Sequence, residues 1–94
     1  MGKPEGKIEN YLKTQAEALG FICWKFTAPS TDGVPDRVLI GYGKTAFVET
    51  KREGGAPRKL QEITIKEMRE HGAIVYVADT KELVDQLLNE LINS

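Results

Sequence analysis

The sequence predicts an α/β domain with a mixed sheet flanked by helices and elements in the order α-β-β-β-α-β-α. Apolar residues recur at helical period near both ends of the chain and at strand period between them. Clusters of Gly, Pro, Asp and Ser separate these runs, and no internal repeat is visible. A strand-helix-strand crossover over residues 45–78 calls for a parallel pair beside an antiparallel hairpin, hence a mixed sheet with helices covering both faces.

Residues 5–19 put Ile8, Tyr11, Leu12, Ala16 and Leu19 on one helical face, and Gly20 ends the run. Phe21 to Phe26 reads as a strand in which Ile22 and Phe26 flank Trp24 at strand period, so the tryptophan is expected in the core rather than against a base. Thr27 to Pro35 (TAPSTDGVP) is a loop of turn formers that delivers the chain to Asp36. Arg37 to Ile40 and Thr45 to Arg52 are strands joined by a Gly-Tyr-Gly-Lys hairpin turn. Pro57 suits the first turn of a helix that runs through Leu60, Ile63 or Thr64, and Met68 to His71 and Gly72. Ala73 to Ala78 is a further strand. Asp79 with Glu82 resembles a capping box ahead of the stripe Leu83, Val84, Leu87, Leu88, Leu91 and Ile92.

Ninety-four residues suit one domain, residues 1–94, with one modest core. With 40% hydrophobic and 29% charged residues the composition is that of an ordinary globular protein. The single cysteine, Cys23, cannot form an internal disulfide. The first ten residues lack the apolar stretch of a signal peptide, and no apolar run approaches the roughly 20 residues of a membrane span. A cytoplasmic location is expected, bacterial or in the host cell if the chain is phage-encoded, with no membrane partner.

The net charge of −1 conceals an uneven distribution: residues 1–36 carry −1, residues 37–69 carry +4 and residues 70–94 carry −4. A basic middle third suits phosphate, and Arg37, Lys44, Arg52, Arg58, Lys59, Lys66 and Arg69 are its candidate contacts. Arg52, Arg58 and Lys59 lie nearest the chemistry in sequence. No G-x-G-x-x-G or Walker-type loop follows a strand, which disfavours a nucleotide cofactor.

That chemistry sits in Val34-Pro35-Asp36 and Glu49-Thr50-Lys51, two short motifs on neighbouring strands. Residues two apart on a strand share a face, so Glu49 and Lys51 point one way while Val48 and Thr50 point the other. If the hairpin pairs as read, the Asp36 carboxylate can approach that of Glu49. Two close carboxylates repel each other and favour a hard divalent cation, Mg²⁺ or Mn²⁺ rather than Zn²⁺, since no imidazole or thiolate ligands cluster here. Such a cation polarises a phosphoryl oxygen and acidifies water, and an ammonium beside it stabilises developing charge. His71, before Gly72 at a helix C-terminus, fits a dipole interaction better than catalysis.

These pieces together resemble the VRR-NUC (virus-type replication-repair nuclease) branch of the PD-(D/E)xK superfamily. The residues that carry the likeness are Glu9 in the first helix, Gly33-Val34-Pro35-Asp36, Val48-Glu49-Thr50-Lys51, and Gly54-Gly55 followed by Gln61. The resemblance implies a restriction-endonuclease-like αβββαβα core. It implies metal ligation by Asp36, Glu49 and the backbone carbonyl of Thr50, and catalysis by Lys51. Gln61 matches the family's polar helix residue. The family's first-helix acid maps onto Glu9, with Glu5 one turn earlier as the alternative.

The function expected is a Mg²⁺- or Mn²⁺-dependent deoxyribonuclease, structure-selective on branched DNA such as Holliday junctions, acting in replication, repair or recombination. Its active unit is expected to be a homodimer, with the final helix as the candidate interface. The competing expectation is a nuclease fold kept as a non-catalytic DNA-binding or assembly module. The intact Asp36, Glu49 and Lys51 set argues against it.

Overall fold

The computed structural model describes residues 4–94, with side chains described from residue 6 onward. Helix α1 (Pro4–Ala18) leads into strands β1 (Ile22–Lys25), β2 (Arg37–Gly41) and β3 (Lys44–Thr50), then helix α2 (Lys59–Glu70), strand β4 (Ile74–Ala78) and helix α3 (Lys81–Asn93). The element order is the one the sequence predicts. The strands form one sheet in the order β1-β2-β3-β4, antiparallel except for the parallel pair β3 and β4. No helix among the described residues is long and apolar enough to cross a membrane.

The β2–β3 turn needs two residues with positive φ, and Tyr42 (φ 56°) with Gly43 (φ 77°) supplies them, which matches the right-handed twist of the flanking strands. Tyr42 tolerates this conformation while its hydroxyl donates to the Leu19 carbonyl and its ring packs on Phe21. The tight turn fixes the register: Leu39 opposes Ala46, and Arg37 opposes Val48. Continuing that register by one residue sets Asp36 against Glu49.

Alternation along the strands divides the side chains between two faces. Cys23, Leu39, Ala46, Val48 and Ala78 meet Ile8, Leu12 and Ala16 of α1 and Val84, Leu87, Leu88 and Leu91 of α3 in one buried cluster. The opposite face carries Glu49 and is covered by α2 over β3 and β4. Coverage is unequal, because over β1 and β2 this second face stays open. Trp24 is 61% exposed there, with Ile22 and Ile40 also exposed. The expectation of a core tryptophan is therefore corrected: alternation along the strand holds, but among the described residues no layer covers that side of β1.

Two helix starts also shift. Pro57 precedes α2 instead of opening it, since Arg58 occupies the N-cap and its backbone N–H donates to Gln61 Oε1 at 3.1 Å. Thr80, not Asp79, caps α3, its hydroxyl accepting from Leu83 N at 3.1 Å. Asp79 instead accepts from Gly54 N at 3.2 Å and ties the loop after β3 to the end of β4. The apolar stripe of α3 is spent on the sheet: Val84, Leu87, Leu88 and Leu91 are buried within the chain, and only Leu83 is left exposed. The final helix thus offers little of that stripe as an interface.

Candidate active site

The site forms where the C-terminal end of β3, the entry to β2 and the first turn of α2 converge. Pro35 is fully buried and anchors the loop end, so Asp36 is delivered to the sheet in fixed position. Thr50 holds it there: its backbone N–H donates to Asp36 Oδ1 at 3.3 Å and its hydroxyl to Oδ2 at 2.9 Å. Burial, and then the charge of Glu49, push the Asp36 carboxyl up to about 6, although the Thr50 hydrogen bonds work the other way.

Glu49 is buried, with 3% of its surface exposed. Its Oε2 receives Lys51 Nζ at 3.0 Å and Gln61 Nε2 at 2.9 Å. Its Oε1 is buried with no hydrogen-bond partner. A buried carboxylate oxygen left without a partner costs free energy, and such groups call for an explanation. Beside a second carboxylate that is itself reluctant to ionise, a divalent cation would satisfy both. The residues present fit one, with Asp36, Glu49 Oε1 and the Thr50 carbonyl as donors. All are oxygens, as Mg²⁺ and Mn²⁺ prefer. Among the described residues no group of three or more His, Cys, Asp or Glu side chains converges, so water or substrate oxygens would complete the shell.

Gln61 sits between two tasks. Its carbonyl oxygen accepts from the Arg58 backbone N–H, which fixes the amide's orientation, and its Nε2 is thereby aimed at Glu49. Glu9 stands on α1, on the other side of the sheet. Its Oε2 meets Arg37 Nε at 2.8 Å and Lys25 Nζ at 2.7 Å. Burial would raise the Glu9 carboxyl, but the hydrogen bonds from Lys25 and Arg37 outweigh it and hold the group below its ordinary value. Its negative charge nevertheless reaches Asp36 and contributes to the raised carboxyl there. Glu5, the alternative acid, lies outside the residues whose side chains are described.

Lys51, Arg52 and Arg58 line a recess of about 370 Å³ with Gly55 and Ala56, next to the carboxylates. Lys59 follows as the first residue of α2, exposed but outside that recess. Other cations of the basic middle third serve the fold instead: Arg37 is buried against Glu9, Lys44 donates to the Leu91 carbonyl and Arg69 to the Val75 carbonyl. A concavity of about 560 Å³ between α2 and β4 contains none of Asp36, Glu49 or Lys51.

Sequence reasoning missed two partners. Thr50 was read only for its carbonyl, yet its hydroxyl clasps Asp36. Arg37, read as a phosphate contact, is the counter-ion of Glu9. Its place on the inward side of β2, beside Leu39 at strand period, was the available signal.

An αβββαβα mixed sheet carrying paired carboxylates and a lysine at one strand end defines the restriction-endonuclease-like class. Within that class the chain is 36% identical over 86 residues to a protein of Acyrthosiphon pisum secondary endosymbiont phage 1 named "Putative nuclease p44", covering 84% of this chain and 86% of that protein. A solved VRR_NUC domain superposes with a TM-score of 0.87 at 30% identity, covering 94% of this chain and 97% of that domain. No protein-family model matches the chain. The chain belongs to the VRR-NUC family.

Proposed function

We propose that the protein is a Mg²⁺- or Mn²⁺-dependent deoxyribonuclease that hydrolyses phosphodiester bonds, selective for branched DNA such as a four-way junction. The observation that carries this reading is the pairing of Asp36, whose carboxyl resists ionisation, with the partnerless Oε1 of buried Glu49. A bound divalent cation would supply Lewis acidity toward a phosphoryl oxygen and toward water. The chain supplies the rest. Lys51 Nζ, held by Glu49 and mostly withdrawn from solvent, is placed to orient the attacking water and to balance charge that builds on the phosphoryl oxygens. Arg52 and Arg58 seat the flanking phosphates, and Lys59 lies within reach of the next.

Branch selectivity and a homodimeric active unit belong to the same proposal. The protomer measures 34 × 31 × 21 Å. One such body presents a single site and little surface beyond it, whereas a junction offers two symmetric scissile strands that a two-fold pair matches. The test is incubation of the purified protein with linear, flap and four-way-junction DNA in Mg²⁺, Mn²⁺ or EDTA, with light scattering at micromolar concentration. Cation-dependent cleavage that favours the junction, by a dimer, is expected. Binding without cleavage in either cation would reduce the protein to a non-catalytic DNA-binding module.

A further inference from the structure

The sheet face that bears the carboxylates does not end at them. Trp24 and Ile22 of β1, with Phe26 just past its end, share the parity of that face, as do Val38 and Ile40 of β2 with Asp36 just before its start. Phe26 N donates to the Asp36 carbonyl at 2.9 Å, and Trp24 opposes Val38, two residues beyond Asp36. Trp24 is therefore one side-chain row from the catalytic carboxylate, about 7 Å along the strand. Phe26 follows Trp24 at strand period on that face, its ring packed at 5.0 Å on Phe47.

Charge is distributed across the site in a way that orients a strand. From Asp36 to the β2–β3 turn, this face of β1, β2 and β3 carries no charged side chain, whereas Lys51, Arg52 and Arg58 all line the recess on the other side of the carboxylates. A strand with its phosphate at Asp36 and Glu49 keeps its backbone on the basic recess. What it lays over the open sheet is then uncharged. In a duplex the base faces are shut inside the stack, so only an unpaired base can offer one to Trp24. A second copy seated here would stand one row from Asp36 and close the approach to the site, which sets the base above a protomer as occupant.

We propose that exposed Trp24, on the same face as Phe26 and Phe47, is a stacking platform for an unpaired nucleobase next to the scissile phosphate, a contact that selects DNA with single-stranded or displaced bases. This rests on the nuclease reading. Trp24 is the sole tryptophan, so intrinsic fluorescence reports the platform directly. The probes are a single-stranded oligothymidylate, a flap and a blunt duplex of equal length, titrated with Mg²⁺ into the Lys51→Ala protein, which should bind without cutting. Saturable quenching by the single strand and the flap, and little by the duplex, is expected. By anisotropy of the labelled oligothymidylate, Trp24→Ala should bind about tenfold more weakly and Trp24→Phe should recover most of the loss. Equal quenching by duplex and single strand, or unaltered binding by a folded Trp24→Ala protein, would overturn the platform while leaving the nuclease reading in place. So would an emission blue shift with protein concentration and no DNA, which would give this face to a second copy. No binding to any of the three DNAs would overturn the platform, and no binding to a four-way junction as well would remove both.

Discussion

Gln61 grips Glu49 by one oxygen only: its Nε2 donates to Oε2 at 2.9 Å, on the same atom that Lys51 holds, and Oε1 is left buried without a partner. The arrangement gives both hydrogen bonds to one carboxylate oxygen and none to the other. Gln61→Ala should lower cation affinity and cleavage by at least about tenfold and reduce stability by roughly 1.5–3 kcal/mol, the usual contribution of a hydrogen bond to a charged group, since Lys51 still holds Oε2. Gln61→Glu should be less stable still without cation, and Mn²⁺ should restore much of the loss. Thermal denaturation with and without Mn²⁺ checks both variants.

Asp36→Asn should stabilise the metal-free protein. The Asp36 carboxyl sits at about 6 in the folded chain, above its unfolded value, chiefly through burial and then through Glu49. The ionised form therefore opposes folding above pH 6. That penalty fades as pH falls through 6 and is gone below the ordinary aspartate range. At pH 7 to 8 in EDTA the variant should exceed the wild type by on the order of 1–3 kcal/mol, and the two should converge near pH 4. Denaturant midpoints across that range measure it, and a gap that widened on acidification would contradict the assigned cause.

Glu9→Gln should act oppositely. Glu9 is held below its ordinary value, so its contribution is fully present above the unfolded glutamate range and is lost as pH falls through the folded one. Without it the buried Arg37 guanidinium keeps, among the described residues, only the Cys23 carbonyl at 3.5 Å. A loss of on the order of 3 kcal/mol at pH 7, shrinking below pH 4, is expected from a broken, largely buried pair. Unchanged stability with abolished cleavage would instead give Glu9 a part in the chemistry itself.

Lys51→Ala should keep cation binding and lose cleavage, because it removes the ammonium proposed to act on water and phosphate and leaves the oxygen donors in place. Calorimetric Mn²⁺ titration beside a cleavage assay separates the two effects. Undiminished turnover would transfer its role elsewhere.

What was legible in the sequence follows from how local each cause is. Strand alternation placed Glu49 and Lys51 on one face, and the Gly41 to Lys44 turn fixed a register that sets Asp36 opposite Glu49. Both are consequences of period and turn chemistry within some fifteen residues. The order of elements was readable for the same reason. Helix caps were less so, because Asp79, Thr80 and Arg58 are separated from their alternatives by single residues, and tertiary contacts such as Asp79 to Gly54 decide among them.

Trp24, Arg37 and Thr50 were misread or incompletely read for a different reason. Alternation says which residues share a face but not which face receives a covering helix, so exposure at Trp24 depends on α2 lying over β3 and β4 alone. Arg37 was read by its charge and neighbours in sequence, whereas its buried place is set by Glu9, twenty-eight residues away. Thr50 was assigned to the face away from Glu49, yet at the strand end its hydroxyl reaches Asp36 across the sheet. Such partnerships are long-range and leave no local period.

The proposed metal centre is most directly tested by Glu49→Gln, measured beside Asp36→Asn for Mn²⁺ affinity by calorimetry and for cleavage of a four-way junction. Each substitution keeps side-chain volume and removes one anionic donor. Both proteins should remain folded by circular dichroism, lose at least about a hundredfold in Mn²⁺ affinity, and show no cation-dependent cleavage while the wild type cuts in Mg²⁺ or Mn²⁺ and not in EDTA. Wild-type affinity and turnover in either folded variant at saturating Mn²⁺ would contradict a cation held between Asp36 and Glu49.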